Sequence, residues 1–103
     1  MKISGKTYTS DLIVFPDRIS SSWWRKSGHR LCMDDLQEIL EDNFDVLIVG
    51  TGFWGMMKVD KEIAQHAKSA KFDLIIEKTP KAVDQFNALC NRQKTVAAFH
   101  LTC

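Results

Sequence analysis

Residues 46–55 of the 103-residue chain, VLIVGTGFWG, decide its fold. The apolar residues Val46 to Val49 form an unbroken run that ends at Gly50, which is typical of a strand buried on both faces of a sheet. Such strands belong to parallel sheets whose faces are covered by helices, with right-handed crossovers between the strands. The stretch therefore predicts an α/β fold built around a buried strand.

The sequence beyond this strand alternates helices with strands. Asp60 is an N-cap candidate before a helix with apolar residues at helical spacing, and residues 72–76 form the next strand. Thr79 places an N-cap hydroxyl before Pro80, a proline at the first helical position, and residues 95–101 form the last strand. This order of elements predicts a mostly parallel sheet.

The chain before residue 46 predicts a β-rich N-terminal third and then a short helix. Ser4-Gly5 separates two β-favouring stretches, as in a small β-hairpin, and residues 11–15 form a strand. Asp34 and Gln37 make a variant capping box that opens the short helix.

Composition indicates one globular body. The chain is 45% hydrophobic and 26% charged, which excludes disorder and coiled coil, and its length leaves room for a single core. We therefore predict one domain over residues 1–103. Its class is α/β: a single compact three-layer domain with a central mixed, mostly parallel sheet and a small N-terminal β-hairpin.

Charge and hydropathy restrict the partners. Fourteen basic and thirteen acidic residues give a net charge of +1, which argues against a nucleic-acid binder that relies on bulk electrostatics. No apolar run approaches the roughly 20 residues that span a bilayer, and the N-terminus lacks the pattern of a signal peptide. We expect a cytoplasmic protein with no membrane span and no nucleic-acid partner.

The cysteines and histidines suggest a metal site only weakly. Cys32, Cys90 and Cys103 are odd in number, which fits a reducing compartment, and whether any two of them pair stays open. His29 with Cys32 and His100 with Cys103 form two pairs with zinc-like spacing. Residues three apart on a strand point to opposite faces, so the second pair cannot face one ion unless the chain bends. We expect no metal.

The segment from Gly50 to Gly55 also matches a dinucleotide-binding fingerprint, Gly-x-Gly-x-x-Gly after a strand, with Glu77 at the end of the next strand. Phe53 and Trp54 are bulky where the pyrophosphate would approach the backbone. About fifty residues remain after the motif, too few for a second nucleotide-binding half. We therefore interpret the glycines as a tight turn that leaves a buried strand, and we expect no cofactor.

Trp23-Trp24-Arg25 is the strongest candidate for an interaction segment. Two adjacent indoles in an extended chain cannot both face one core, so one lies near the surface. Trp and Arg dominate the hot spots of protein interfaces. Alternatively, one indole covers the core and Arg25 stacks on the other. Both interpretations stay open.

The order of motifs along the chain resembles one family of small proteins. The resemblance is carried by Trp23-Trp24-Arg25, Gly28-His29, Leu31, Asp35-Leu36, Gly50-Thr51-Gly52, Thr79, Ala82, Asn87, Leu89 and the closing His100-Leu101-Thr102-Cys103. That family contains archaeal and bacterial hypothetical proteins, an adipogenesis-associated cytosolic protein and an assembly factor of mitochondrial respiratory complex I. The resemblance implies a three-layer α/β domain, no established catalytic activity and action through partner proteins.

The resemblance also implies a set of site positions: Trp24, Arg25, His29, Gly50, Thr51, Gly52, Thr79 and Asn87. Two of these, the glycine turn and Thr79, follow predicted parallel strands, at the carboxyl edge where α/β sheets hold ligands.

We predict a non-enzymatic interaction or assembly module that presents the loop from Trp23 to Arg30 to a protein partner. The alternative is a small-molecule or anion-binding protein, or an enzyme, with a cleft at the Gly50–Gly52 turn. In that alternative the anion would be held by Arg25, Thr51, Thr79 and Asn87. Exposed aromatic area is compatible with a weak homodimer.

Overall fold

The computed structural model describes residues 2–3, 6–8, 10–21, 23, 25 and 30–101. Within them the strands are β1 (Lys2–Ile3), β2 (Lys6–Thr7), β3 (Leu12–Val14), β4 (Ile19–Ser21), β5 (Arg30–Leu31), β6 (Val46–Thr51), β7 (Lys58–Val59), β8 (Asp73–Glu77) and β9 (Thr95–His100). The helices are a 3₁₀ turn (Met33–Leu36), α1 (Gln37–Leu40), α2 (Lys61–Ala70) and α3 (Thr79–Leu89).

The main sheet has five strands in the order β4-β3-β9-β6-β8. Strand β6 pairs in parallel with β9 on one side and with β8 on the other. Strands β3 and β4 add an antiparallel hairpin beside β9. The sheet is therefore mixed, as predicted, and its parallel part is the one that the sequence from residue 46 indicates.

The remaining strands of the described residues form two small two-stranded sheets. β1 and β2 form the predicted antiparallel N-terminal hairpin. β5 and β7 pair in parallel, with Arg30 opposite Lys58. This second pairing brings the residues just after position 29 beside the chain that leads into α2.

All six residues of β6 are buried, because each face of the strand packs against a separate core. Leu47 and Val49 belong to the core under α1 and α2, whereas Val46 and Ile48 belong to the core under α3. Burying one such aliphatic side chain stabilises a fold by roughly 1.5–3 kcal/mol. Helices on both faces of one sheet make the three layers.

Helix α2 begins after Asp60, as the local sequence indicates. Asp60 is its N-cap residue, although its carboxylate accepts a hydrogen bond from Arg30 Nε and not from the helix. Ile63 and Ala67 are buried against the core. Lys71 ends the helix in the left-handed conformation, at φ 61°.

The predicted start of the first helix was wrong by two residues. The capping box is formed by Cys32 and Asp35, with the Cys32 backbone N–H donating to Asp35 Oδ2 at 3.0 Å, and not by Asp34 and Gln37. The chain turns at Cys32 because β5 has just ended at Leu31, and one 3₁₀ turn precedes α1.

Candidate functional site

The carboxyl edge of the parallel strands brings together four of the predicted site residues. In the sheet register Gly50 lies opposite Glu77 of β8, and Thr51 lies opposite His100 of β9. Helix α3 begins two residues after β8, so Thr79 lies against the end of β6. The Thr79 backbone N–H donates to the Gly52 carbonyl at 3.0 Å.

The Thr79 hydroxyl ties the ends of the two central strands to α3. It accepts a hydrogen bond from the Gly52 N–H at 2.9 Å and donates one to the His100 carbonyl at 2.6 Å. The side chain is buried, so both partners depend on this hydroxyl. Thr79 is the first residue of α3, with Lys78 as the N-cap, which corrects the predicted capping role of its hydroxyl.

The close approach of α3 to the end of β6 requires a glycine at position 50. A Cβ atom at residue 50 would lie 2.8 Å from Thr79 Oγ1 and 3.0 Å from the Phe99 ring. The neighbouring Thr51 hydroxyl donates to the Glu77 carbonyl at 3.1 Å. The Thr51 and Thr79 hydroxyls, which the anion-binding alternative requires, therefore already have partners within the protein, as does the Gly52 N–H.

The glycine triplet turns the backbone sharply. Gly52 and Gly55 have φ values of 104° and 71°, which favour glycine, and the Gly55 N–H donates to the Gly52 carbonyl at 3.2 Å. Residues 52–57 contain no helix, and α2 begins only at Lys61. A dinucleotide fingerprint needs a helix N-terminus at the second glycine, so the tight-turn interpretation is the one that fits the structure.

Arg25 is placed in a buried ion pair on the adjoining part of the sheet. Its guanidinium contacts Asp11 Oδ2 at 2.5 Å and His100 Nδ1 at 2.9 Å, and only 5% of its side chain is exposed. His100 Nδ1 also lies 2.7 Å from the same Asp11 oxygen. The Leu101 N–H donates to the second carboxylate oxygen at 2.8 Å. This cluster joins the chain before β3, the Trp23–Arg25 segment and the end of β9.

The pKa of Asp11 reflects this cluster. Burial by itself would raise the pKa of the carboxyl group, but the hydrogen bonds from the Leu101 N–H, His100 and Arg25 outweigh it. The nearby Arg25 charge acts in the same direction as the hydrogen bonds. The net pKa is below the ordinary value of 3.8, so Asp11 is a carboxylate near neutral pH.

Trp23 covers part of the core. It packs against the core under α1 and α2, and its Nε1 donates to the Asp35 carbonyl at 3.2 Å. The Arg25 guanidinium lies over the same indole, 4.9 Å from the ring centroid. The alternative predicted that one indole covers the core and that Arg25 stacks on the other. In the structure Trp23 does both, since it packs on the core and is also the ring that Arg25 covers. Trp24 and His29 lie outside the described residues.

Asn87 is not part of the carboxyl edge. It is exposed on α3, eight residues beyond Thr79, and at 1.5 Å per residue the two positions are about 12 Å apart along the helix axis. The structure therefore groups Gly50, Thr51, Gly52 and Thr79, places Arg25 in the neighbouring ion pair, and separates Asn87 from both.

Sequence reasoning missed the roles of Asp11 and His100 in this cluster. The sequence pattern places Asp11 at the start of a strand and His100 in a zinc-like pair with Cys103, and neither pattern predicts a contact between the two. They are separated by 89 positions in the chain, so no local spacing announces the contact. The register that places His100 opposite Thr51 is the feature that positions it.

The described ranges, from residue 2 to residue 101 with their gaps, contain no group of three or more His, Cys, Asp or Glu side chains arranged to hold a metal ion. Cys32 and Cys90 both carry unpaired thiols, while Cys103, the third cysteine, lies beyond the described part. None of the helices within those ranges is long and apolar enough to cross a membrane.

Comparison with known proteins is consistent with the fold. A family model described as "Protein of unknown function (DUF498/DUF598)" matches residues 1–101. The crystal structure of the conserved hypothetical protein PH1505 from Pyrococcus horikoshii OT3 is similar, with 28% sequence identity and a TM-score of 0.83. That match covers 99% of this chain and 91% of the other.

Two further solved structures show the same fold at lower identity. MT938 is 22% identical with a TM-score of 0.77, and the match covers 97% of this chain and 88% of that one. An outer membrane protein from Bartonella henselae is 20% identical with a TM-score of 0.79, with coverage of 99% and 86%. At these identities the likeness concerns the fold alone.

Proposed function

We propose that this chain, which belongs to the protein family of unknown function DUF498/DUF598, is a non-enzymatic interaction or assembly module that presents its Trp23–Arg30 segment to a protein partner. The proposal includes a cytoplasmic location, which fits the odd number of cysteines.

The observation that carries the proposal is that both ends of this segment are anchored. Arg25 is fixed by the buried contacts to Asp11 and His100. Arg30 lies opposite Lys58 in the backbone pairing of β5 with β7, and the Arg30 guanidinium contacts Asp60. Anchored ends reduce the conformational entropy that a connecting segment loses on binding, which favours recognition of a partner.

The residue types within the Trp23–Arg30 segment supply the second support. Trp24 and His29 belong to types that combine apolar area with a hydrogen-bonding group, and Trp is enriched at interface hot spots. The resemblance to a family with an adipogenesis-associated cytosolic protein and a complex I assembly factor also suggests that this chain acts by binding a partner protein.

The anion-binding alternative has less support from the geometry. An anion at the glycine turn would have to displace Thr79 from the Gly52 N–H, and it would leave the buried threonine hydroxyl with one partner fewer. An unsatisfied buried polar group costs about 1–3 kcal/mol, which an incoming ligand would have to offset. Asn87 is exposed on α3 and away from this edge.

A photo-crosslinking residue at position 24 tests the interaction, with the same residue at Lys68 of α2 as the control. The protein crosslinked from position 24 and not from position 68 would be purified, and its Kd for the native chain would be measured. We expect Trp24→Ala and His29→Ala to weaken binding at least about tenfold, with melting temperatures that stay close to that of the native chain. Unchanged Kd values for both variants would exclude this segment as the interface.

A further inference from the structure

The loop between β6 and β7, residues 52–57, exposes three large apolar side chains; we refer to it below as the aromatic loop. Phe53 is 57% exposed, Trp54 70% and Met56 58%. The two aromatic rings contact each other edge to face, with centroids 5.3 Å apart. Contiguous exposed apolar surface of this kind marks a site that another surface covers.

The aromatic loop is held in one conformation. Its turn is closed by the Gly55 N–H to Gly52 carbonyl bond, and the Met57 N–H donates to the Thr51 carbonyl at 3.0 Å. Met57 is buried in the core below α2, while its neighbour Met56 is exposed. The exposed side chains are therefore presented by a fixed backbone, and little entropy remains to be lost when the loop binds.

Lysine side chains flank the loop. Lys58 follows it directly and is exposed, and the Lys78 stem lies against Gly55, 3.1 Å from where a Cβ would stand. The acidic residues adjoining these lysines, Asp60 and Glu77, have cationic partners of their own in Arg30 and Lys81. The rim of the aromatic loop is thus positively charged.

We infer that the aromatic loop docks on the surface of a bilayer that contains anionic lipid. Trp and Phe prefer the headgroup level of a membrane, and lysines nearby are attracted to anionic headgroups while their stems cover apolar surface. Protein interfaces, by contrast, are depleted in lysine. Lysine as the flanking cation at Lys58 and Lys78 therefore favours lipid over a protein partner.

Cosedimentation of the full chain with vesicles tests this inference. One set of vesicles is phosphatidylcholine alone, and the other contains about one-third phosphatidylserine. We expect the native chain to bind the anionic vesicles and to lose most of that binding at high salt, because exposed charges are screened there. Trp54→Ala should weaken binding about tenfold and Lys58→Glu about fivefold or more.

Ile76→Ala is the matched control, because Ile76 is an exposed apolar residue of β8 outside the aromatic loop, with 43% of its surface accessible. It should bind like the native chain, and all variants should keep the native melting temperature since the altered side chains are exposed. Three results would overturn the inference: no binding of the native chain to anionic vesicles, undiminished binding by Trp54→Ala, or a dimer of the native chain that Trp54→Ala dissociates.

Discussion

Replacing Thr79 with valine tests whether the carboxyl edge of the sheet is held together by one hydroxyl. Valine has nearly the same shape, so the substitution removes the hydroxyl and leaves the packing in place. The Gly52 N–H and the His100 carbonyl would both lose their partner in a buried position. At about 1–2 kcal/mol for each group, Thr79→Val should lower the free energy of unfolding by about 2–4 kcal/mol.

Urea denaturation at neutral pH measures this loss directly, and thermal unfolding gives a second readout. For a domain of this size 1 kcal/mol corresponds to about 4 °C, so the melting temperature should fall by about 8–16 °C. Thr79→Ser is the control, because it keeps the hydroxyl and removes only one methyl group, at about 1 kcal/mol. If Thr79→Val were as stable as Thr79→Ser, the hydroxyl would not tie the strand ends to α3.

Three further predictions concern the same region. Arg25→Ala should cost about 3 kcal/mol in urea denaturation, because Asp11 loses a buried cationic partner; a loss below about 1 kcal/mol would contradict the ion pair. Burial raises the pKa of Asp11, but the hydrogen bonds to its carboxylate lower it by more, so the net pKa in the folded state lies below the ordinary value of 3.8. The carboxylate therefore stabilises the fold above about pH 4. This stability is lost as the pH falls through the lower folded pKa, and Asp11→Asn should remove that step from a plot of melting temperature against pH. Gly50→Ala should destabilise the fold by about 1–3 kcal/mol, since its Cβ would meet Thr79 and Phe99; native stability in this variant would show that the contact relaxes without cost.

The parallel half of the sheet could be predicted from sequence because its signals are local. The apolar run from Val46 to Val49 gives the central strand, and Asp60 marks the start of α2. The start of the first helix could not be placed in the same way, because Asp34 and Asp35 are both acceptable near a helix N-terminus. What selects Cys32 and Asp35 is the end of β5, and β5 exists through its pairing with β7, a contact between distant parts of the chain.

The candidate site was predictable only in part, for a similar reason. The tight turn at Gly52 follows from local glycine spacing, and the contact of Trp23 with the core agrees with the alternative in which one indole covers the core. The contacts of Arg25 with Asp11 and His100 join residues 14 and 75 positions away, so only the folded sheet reveals them. The burial of Arg25 makes it a structural anchor of the Trp23–Arg30 segment, a role that the interaction hypothesis drawn from the sequence does not predict.

The position of Thr79 shows how a local signal can be correct in place and wrong in role. A threonine before a proline is typical of a helix N-cap, and α3 does begin there. The Thr79 hydroxyl hydrogen-bonds to Gly52, just after β6, and to His100 at the end of β9, because both lie close to it. The N-cap position of α3 is occupied by Lys78 instead. Local pattern gave the boundary, and the tertiary contact determined what the side chain binds.

Amide NMR tests most directly whether the glycine turn is a structural support for neighbouring segments or a ligand-binding site. The spectrum of the ¹⁵N-labelled full chain would be followed during titration with NADH, ATP and inorganic phosphate. If the turn is a structural support, the amide signals of Gly50, Gly52 and Thr79 should show no saturable shift with any of the three. A saturable shift of the Gly52 and Thr79 amides would mean that the edge binds an anion and that Thr79 is displaced from its internal partners.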